Sequence, residues 1–419
     1  MPLPYRSASW LAGAALAPFA SGPLAERLVL DEPGGAENPQ ATGHNGTIWL
    51  HGASVGELSS ARPVIGMLSA HSRLIVTANT TTGRGVARDW GFPARLAPLD
   101  TPQSLRRFLD RFRPRLAVTL ENEMWPNRSA ALEAAGIQHF VIGARMSERS
   151  ARRWARLPWL IRPMLRRIEG LSAQDIGSEE RLVDLGLPAE ALMPRMQLKL
   201  LGPAGTRPQE RPPTRDRTIL AASTHEGEDG PVLDAFMQAR RQVAGLRLII
   251  APRHTVRADD IAALMAQRGL HPARRSQGAD ETEPVLLADT MGEMDRWYDA
   301  AAICITGGSL VAKGGHTPWE PAAHECAILH GPHVTNFSED YALLHAVDGA
   351  ETLSKHAGAT LAKLAASPEL AARMGQNARR LLLSRAGDVT PLVERILGAA
   401  DIAETQDHAD ITGMKGNRT

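Results

Sequence analysis

Cysteine is nearly absent from the 419 residues: Cys304 and Cys326 are the only two. Both lie in apolar runs without a Cys-x-x-Cys or Cys/His ligand spacing. That excludes a disulfide framework and a structural zinc site, and it fits a reducing, cytoplasmic setting. Net charge is scarce too. With 47 Lys and Arg against 46 Asp and Glu, the formal charge is +1, too little for a chain that wraps nucleic acid by bulk charge, so no nucleic-acid partner is expected. Long apolar runs are missing. The best, "WLAGAALAPFA" from Trp10 to Ala20, falls short of the ~20 residues a spanning helix needs, and a proline interrupts it. It reads as a short helix that packs on the domain or lies on a membrane surface. No Asp-x-Asp pair follows a strand, so nothing asks for a metal on a substrate phosphate. The nicotinamide fingerprint is incomplete: "TTTGRGVARDW" has Gly83 and Gly85 but Arg88 where a third glycine belongs, which disfavours a dehydrogenase.

What is present is apolar sequence in the right periods. Apolar residues make up 43% of the chain, enough for large cores, and the length predicts two domains. Short apolar runs alternate with helical spacing: "TIWLHG", "RLIVTA", "ARLAPL", "LAVTLE", "HFVIGA" and "GLSAQ" in the first half. After a Pro- and Gly-rich stretch from Leu200 to Arg217, "TILAAS", "LRLIIAP", "PVLLAD", "AAICITGG" and "CAILHG" follow. The alternation predicts an α/β chain of two doubly wound parallel sheets. The expected division is an N-terminal helical segment over 1–30, a first domain over 31–200, a linker over 201–217, a second domain over 218–400 and a frayed tail over 401–419. Charge is uneven along this frame. Between Thr101 and Ile168 there are fourteen arginines, five acids and no lysine. The stretch is either solvated helix faces or a surface for phosphates or an anionic membrane.

In open parallel sheets ligands bind at the carboxyl ends of strands, and these ends are crowded with polar groups. "HGASVGE" places Ser54 and Glu57 at a strand-to-helix turn. There a glutamate is either a favourable helix-start charge or a base, and the residues alone leave both open. "ENEMWPN" and "ARMSERS" follow later strands. In the second half "STHEGED", "APRH", "DTMGEMD" and "GGSLVAKGGHTPWEP" do the same. The paired glycines of the last allow close backbone approach to a phosphate, or are two plain turns. Arg253 suits an anionic phosphate because its fork bonds two oxygens. Glu293 sits on a glycine loop able to meet a nucleotide, or to cap a helix.

These segments, in this order over roughly Ile48 to Phe337, resemble the bacterial 3-deoxy-D-manno-octulosonic acid (Kdo) transferases, which build the inner core of lipopolysaccharide. The resemblance implies a GT-B glycosyltransferase with two Rossmann-like domains facing across a cleft. It implies CMP-Kdo as donor substrate with no cofactor, the lipid A precursor as acceptor, and a place on the cytoplasmic face of the inner membrane, peripheral or N-terminally anchored. Carried over by position, Glu57 is the general base. The CMP-binding segments fall on Pro252 and Arg253, on Met291, Gly292 and Glu293, and on Thr317, Pro318, Trp319 and Glu320. Glu123 is expected near the same site, and Arg145 and Arg149 near the acceptor's phosphates. Thr317 stands where the family usually has an asparagine, and the "GN-LK" segment is reduced to "MQLKL", keeping Lys199. The competing readings are a GT-B enzyme using another nucleotide-sugar, such as a UDP-sugar transferase or an epimerase, and a non-catalytic paralogue binding lipid A or nucleotide.

Overall fold

The computed structural model describes residues 3–31, 47–121, 123–207 and 211–400. Two compact units divide the chain: residues 1–202 together with the chain from Ala386 onward, and residues 203–385. The tail expected over 401–419 lies outside the described residues.

The first unit carries seven parallel strands: β1 Thr47–His51, β2 Arg73–Ala78, β3 Ala94–Leu96, β4 Pro114–Leu120, β5 Gln138–Ala144, β6 Ile168–Ala173 and β7 Leu192–Met193. Their order across the sheet is β3-β2-β1-β4-β5-β6-β7. The strands are buried on both faces, as a sheet covered by helices requires. On one face Trp49, Ile75 and Ala117 pack with Phe108, Phe112 and Leu105 of helix Pro102–Phe112, and the Trp49 and Phe108 rings lie 4.4 Å apart. The N-terminal helix Leu3–Leu16 packs on this unit through polar contacts. Tyr5 donates to Asp100 at 3.0 Å, and the Gln103 amide donates to the Trp10 carbonyl at 3.0 Å. Trp10, Leu11, Leu16 and Phe19 remain exposed. No helix among the described residues is long and apolar enough to cross a membrane.

The second unit repeats the plan with β8 Thr218–Thr224, β9 Arg247–Pro252, β10 Ala273–Arg274, β11 Val285–Leu287, β12 Ile303–Thr306, β13 Ala327–His330 and β14 Ala350–Thr352, in the order β10-β11-β9-β8-β12-β13-β14. Alternate strand residues serve opposite faces. Ile219, Leu248, Ile250, Ile303 and Ile305 join one core, while Leu220, Ile249, Leu286 and Cys304 join the other with Trp297 and Tyr298.

Two boundaries differ from those read in the sequence. The helix Leu198–Gly205 runs into the stretch expected as linker, because "LKLL" buries Leu198, Leu200 and Leu201 before the prolines begin. The expected second domain, 218–400, is shortened at its end. From Ala386 the chain returns to the first unit, where Leu392, Val393 and Ile396 are buried at helical spacing and Arg395 donates to the Glu169 carbonyl at 3.0 Å.

Candidate active site

In the first unit β1 and β4 are neighbours, and the chain leaves them toward opposite edges of the sheet. Their carboxyl ends form the topological switch point where such sheets bind ligands. After β1 the chain turns at Gly52, where a Cβ would lie 2.9 Å from the Leu58 side chain, and enters helix Val55–Ser60. Ser54 caps that helix, its hydroxyl accepting the Glu57 N–H at 3.4 Å. The Glu57 carboxylate reaches back to accept the Ala53 N–H at 2.6 Å. The helix-start role of Glu57 is therefore real: this is a capping box with a shifted partner. Burial nevertheless raises its pKa, the Ala53 bond opposes that, and the charges of Glu121 and Glu123 push it up further. One carboxylate oxygen holds the turn; the other lies 3.5 Å from the Ser54 hydroxyl.

Glu123, after β4, is the opposite kind of carboxylate. Burial alone would raise its pKa, but hydrogen bonds from His51, Trp125 and Asn79 outweigh that and hold it down to about 2. Asn79 Nδ2 donates at 3.2 Å, His51 Nε2 lies 3.4 Å away, and the Trp125 indole also donates. His51 is itself buried and neutral at pH 7. Burial and then the Arg128 charge bring its pKa to about 4, so it serves Glu123 as a neutral donor. Its Nδ1 meets Thr77 Oγ1 at 2.9 Å, which in turn accepts from the Trp49 indole at 2.8 Å. A polar chain thus runs through the sheet and ends on an ionised Glu123. Arg145 directly follows β5, and Arg149 lies in the first turn of helix Glu148–Trp154. Both are exposed at the same end of the sheet. Lys199 is exposed on helix Leu198–Gly205.

The second unit has its own switch point, between β8 and β12. Gly307 after β12 passes so close to Ser223 that a Cβ would lie 2.1 Å from the Ser223 carbonyl oxygen. Buried Glu228 ties the two strand ends together, accepting the N–H groups of His225 and Gly308 at 2.7 Å and of Leu310 at 2.8 Å. Pro252 ends β9 and Arg253 follows it, exposed, its N–H donating to the Thr224 carbonyl at 3.0 Å. In the Met291–Glu293 loop Gly292 has φ of 85°. Arg275 clamps Glu293 through Nε to both oxygens at 3.0 Å and Nη2 at 2.7 Å. Those bonds, with that from Thr290, hold the Glu293 carboxyl down at about 2. What this loop offers a ligand is its backbone and the exposed Met291, since its carboxylate is already engaged. Thr317 accepts the Trp319 N–H at 3.3 Å at the start of helix Trp319–Ala323, keeping its O–H as a donor. Glu320 accepts from Tyr298 at 3.1 Å, and burial raises its pKa. Pro318 and Trp319 are buried and shape the turn.

The first unit matches the family described as 3-deoxy-D-manno-octulosonic-acid transferase over residues 24–201. A 3-deoxy-D-manno-octulosonic acid transferase of Haemophilus influenzae is 32% identical over 366 residues, covering 83% of this chain and 86% of that one. The chain belongs to the Kdo transferase family. The same-named protein of Bordetella pertussis is 35% identical over 316 residues, 70% of this chain and 72% of its own. The C-terminal CMP-Kdo binding domain of WaaA from Acinetobacter baumannii, 28% identical, covers 41% of this chain and 90% of its own at a TM-score of 0.38. Two doubly wound units in series are the GT-B architecture expected of a Kdo transferase.

Among the expected residues, the structure brings Ser54, Glu57 and Glu123 to one switch point. It brings Arg253 and the segment leading into Thr317 to the other, with the Met291–Glu293 loop anchored separately by Arg275. The sequence reading missed His51, Thr77 and Asn79, which support Glu123, and Glu228, which joins two strand ends. Glu228 had a signal, since it lies inside "STHEGED". His51 had one too, as the first residue of "HGASVGE", but only the strand register shows its link to Thr77, with which it pairs directly.

Proposed function

We propose that this member of the Kdo transferase family is an inverting glycosyltransferase that moves Kdo from CMP-Kdo to a hydroxyl of the lipid A precursor. The observation that carries this is Glu57: a half-buried carboxylate at the switch point, its pKa raised by burial and by two neighbouring carboxylates. A base must hold a pKa close enough to working pH to accept a proton in the transition state. Glu57 takes the proton of the acceptor hydroxyl as that oxygen bonds to the anomeric carbon. The bond from that carbon to the phosphate oxygen breaks, and its electron pair leaves with CMP. Attack opposite the leaving group inverts the centre. Arg253 and the backbone around Gly307 to His316 stabilise the charge that develops on the phosphate, work that is worth several kcal/mol in a preorganised site.

The reading assigns no metal and no cofactor to the transfer, and full activity in a chelator tests that assignment. It also places the chain on an anionic membrane surface. Trp10, Leu11 and Phe19 are exposed on the N-terminal segment, and Trp159, 51% exposed, lies in the arginine-rich stretch. Aromatic and basic residues together suit a headgroup layer. Arg145 and Arg149 are assigned to the acceptor's phosphates, and substituting both is expected to raise the acceptor KM.

The decisive assay mixes purified protein, lipid A precursor and CMP-Kdo regenerated in place. Mass spectrometry then counts Kdo units on the lipid, with Glu57→Ala alongside. Kdo added by the wild type and lost in the variant supports the reading. A folded wild type that adds none refutes it.

A further inference from the structure

The side chains of two histidines in the second unit have no part in the chemistry assigned so far. His225 follows β8, and His316 closes the loop that follows β12. Their ring planes are nearly parallel, 13° apart, with centroids separated by 5.1 Å. The edges face each other, and Nε2 lies 3.0 Å from Nε2. In a neutral pair at that distance one nitrogen donates and the other accepts, so the two facing atoms share a single proton.

The surroundings are cationic. His254 stands edge-on to His225, ring centroids 6.0 Å apart. Burial lowers the pKa of both histidines; His254, Lys313 and Arg253 lower His225 further, and His225 and Arg253 do the same to His316, while the Glu228 charge opposes the shift at both. The acids nearby are engaged. Glu228 accepts three backbone N–H groups, and Asp229 pairs with Arg257 and with Thr224 Oγ1. No carboxylate pairs with Arg253 or Lys313 among the described residues. The pair is also held at its backbone: Glu228 accepts the His225 N–H at 2.7 Å, and His316 donates its N–H to the Gly307 carbonyl at 3.1 Å. Here is a half-buried proton-sharing pair beside Arg253 and Lys313, with the Glu228 charge close enough to favour one more proton on it.

This inference rests on the Kdo-transfer reading. An octulosonic acid linked to phosphate through its anomeric carbon carries a carboxylate on that same carbon, so the donor presents two anions side by side. Arg253 meets the phosphate. We propose that His225 and His316 form the seat of the sugar's carboxylate, taking one proton from solvent as it binds so that each Nε2–H turns from its neighbour onto the carboxylate. The pair is then what distinguishes an acidic sugar from a neutral one on the same nucleotide.

The test uses the full chain as wild type, His225→Gln and His316→Gln. KM for regenerated CMP-Kdo and Ki for CMP are measured from pH 6 to pH 8.5. The expected result is a KM for CMP-Kdo raised about tenfold or more, the worth of a lost charged hydrogen bond, with Ki for CMP changed less than about twofold. In the wild type, log KM should climb with pH toward a slope of about one, the mark of one proton taken up, and both variants should lose that slope. Comparing proteins cancels the ionisation of CMP itself. KM and Ki rising in parallel would assign the pair to the nucleotide, and unchanged constants would leave it structural; either overturns the proposal. A flat wild-type profile overturns it without any variant. A wild type that transfers no Kdo removes the functional reading and this inference together, whereas a wild type that transfers with indifferent variants removes only the inference.

Discussion

Glu123→Gln keeps the shape on which His51, Asn79 and Trp125 converge and removes only the charge. In the wild type the carboxyl is held from an ordinary 4.5 down to about 2. At about 1.4 kcal/mol per unit that shift is worth roughly 3 kcal/mol as a ceiling. The side chain is 19% exposed and His51 is a neutral donor at pH 7, so about 2 kcal/mol is the working figure. The sign follows from the direction. A depressed carboxyl stabilises the fold above its unfolded pKa, and that stability drains away as pH falls from about 4.5 toward 2. Glutamine does not titrate, so the gap between the two proteins should be ~2 kcal/mol at pH 7 and shrink by more than half by pH 3. Denaturant melts of the full chain at both pH values, followed by the fluorescence of buried tryptophans such as Trp49, read the gap. A second readout is kinetic. The Glu123 charge helps raise the Glu57 pKa, so the acid limb of kcat/KM should move to lower pH in the variant. A gap that is the same at pH 7 and pH 3, with an unmoved acid limb, would refute the assignment of an ionised Glu123 at the head of the network.

Glu57→Gln should lower kcat by about 10²- to 10⁴-fold while leaving KM for CMP-Kdo near the wild-type value, since it removes a proton acceptor and not a donor contact. In the wild type kcat/KM should fall on acidification at a pH above the ordinary glutamate range, because the Glu57 pKa is raised; a limb at or below 4.5 would contradict that. Gly307→Ala would force a Cβ to 2.1 Å from the Ser223 carbonyl oxygen, and a loss of roughly 3 kcal/mol or more in the second unit's melting transition is expected. Arg275→Ala frees Glu293 and the Met291–Glu293 loop, so CMP should bind several-fold more weakly by titration calorimetry, with kcat at saturating donor little changed.

The strands with continuous β-branched and apolar runs could be read directly from the sequence, because a buried parallel strand needs little else. β7, β10 and β14 could not. They are two or three residues long, sit at or near sheet edges, and carry no period to detect. The return of the chain to the first unit was hidden for another reason: Leu392, Val393 and Ile396 announce a helix face but not which core it joins. At the site, the motifs located Glu57, Arg253 and the glycine loop. They could not show that Glu57 is both helix cap and candidate base, since that takes the 2.6 Å contact to Ala53. Nor could they show that Glu293 is engaged by Arg275, eighteen residues earlier in the chain.

The first unit is built from two separated stretches of the chain, with the second unit between them, and this sets an order of events during synthesis. Residues 1–202 leave the ribosome first but lack the helical turn that carries Leu392, Val393 and Ile396. They must wait with an open apolar seam while all of residues 203–385 are made and fold as an insertion. A nascent chain halted before Ala386 therefore holds a finished second unit and an unfinished first one. The apolar seam of the first unit is therefore exposed throughout synthesis of the second, and it closes only once the segment carrying Leu392, Val393 and Ile396 has been made.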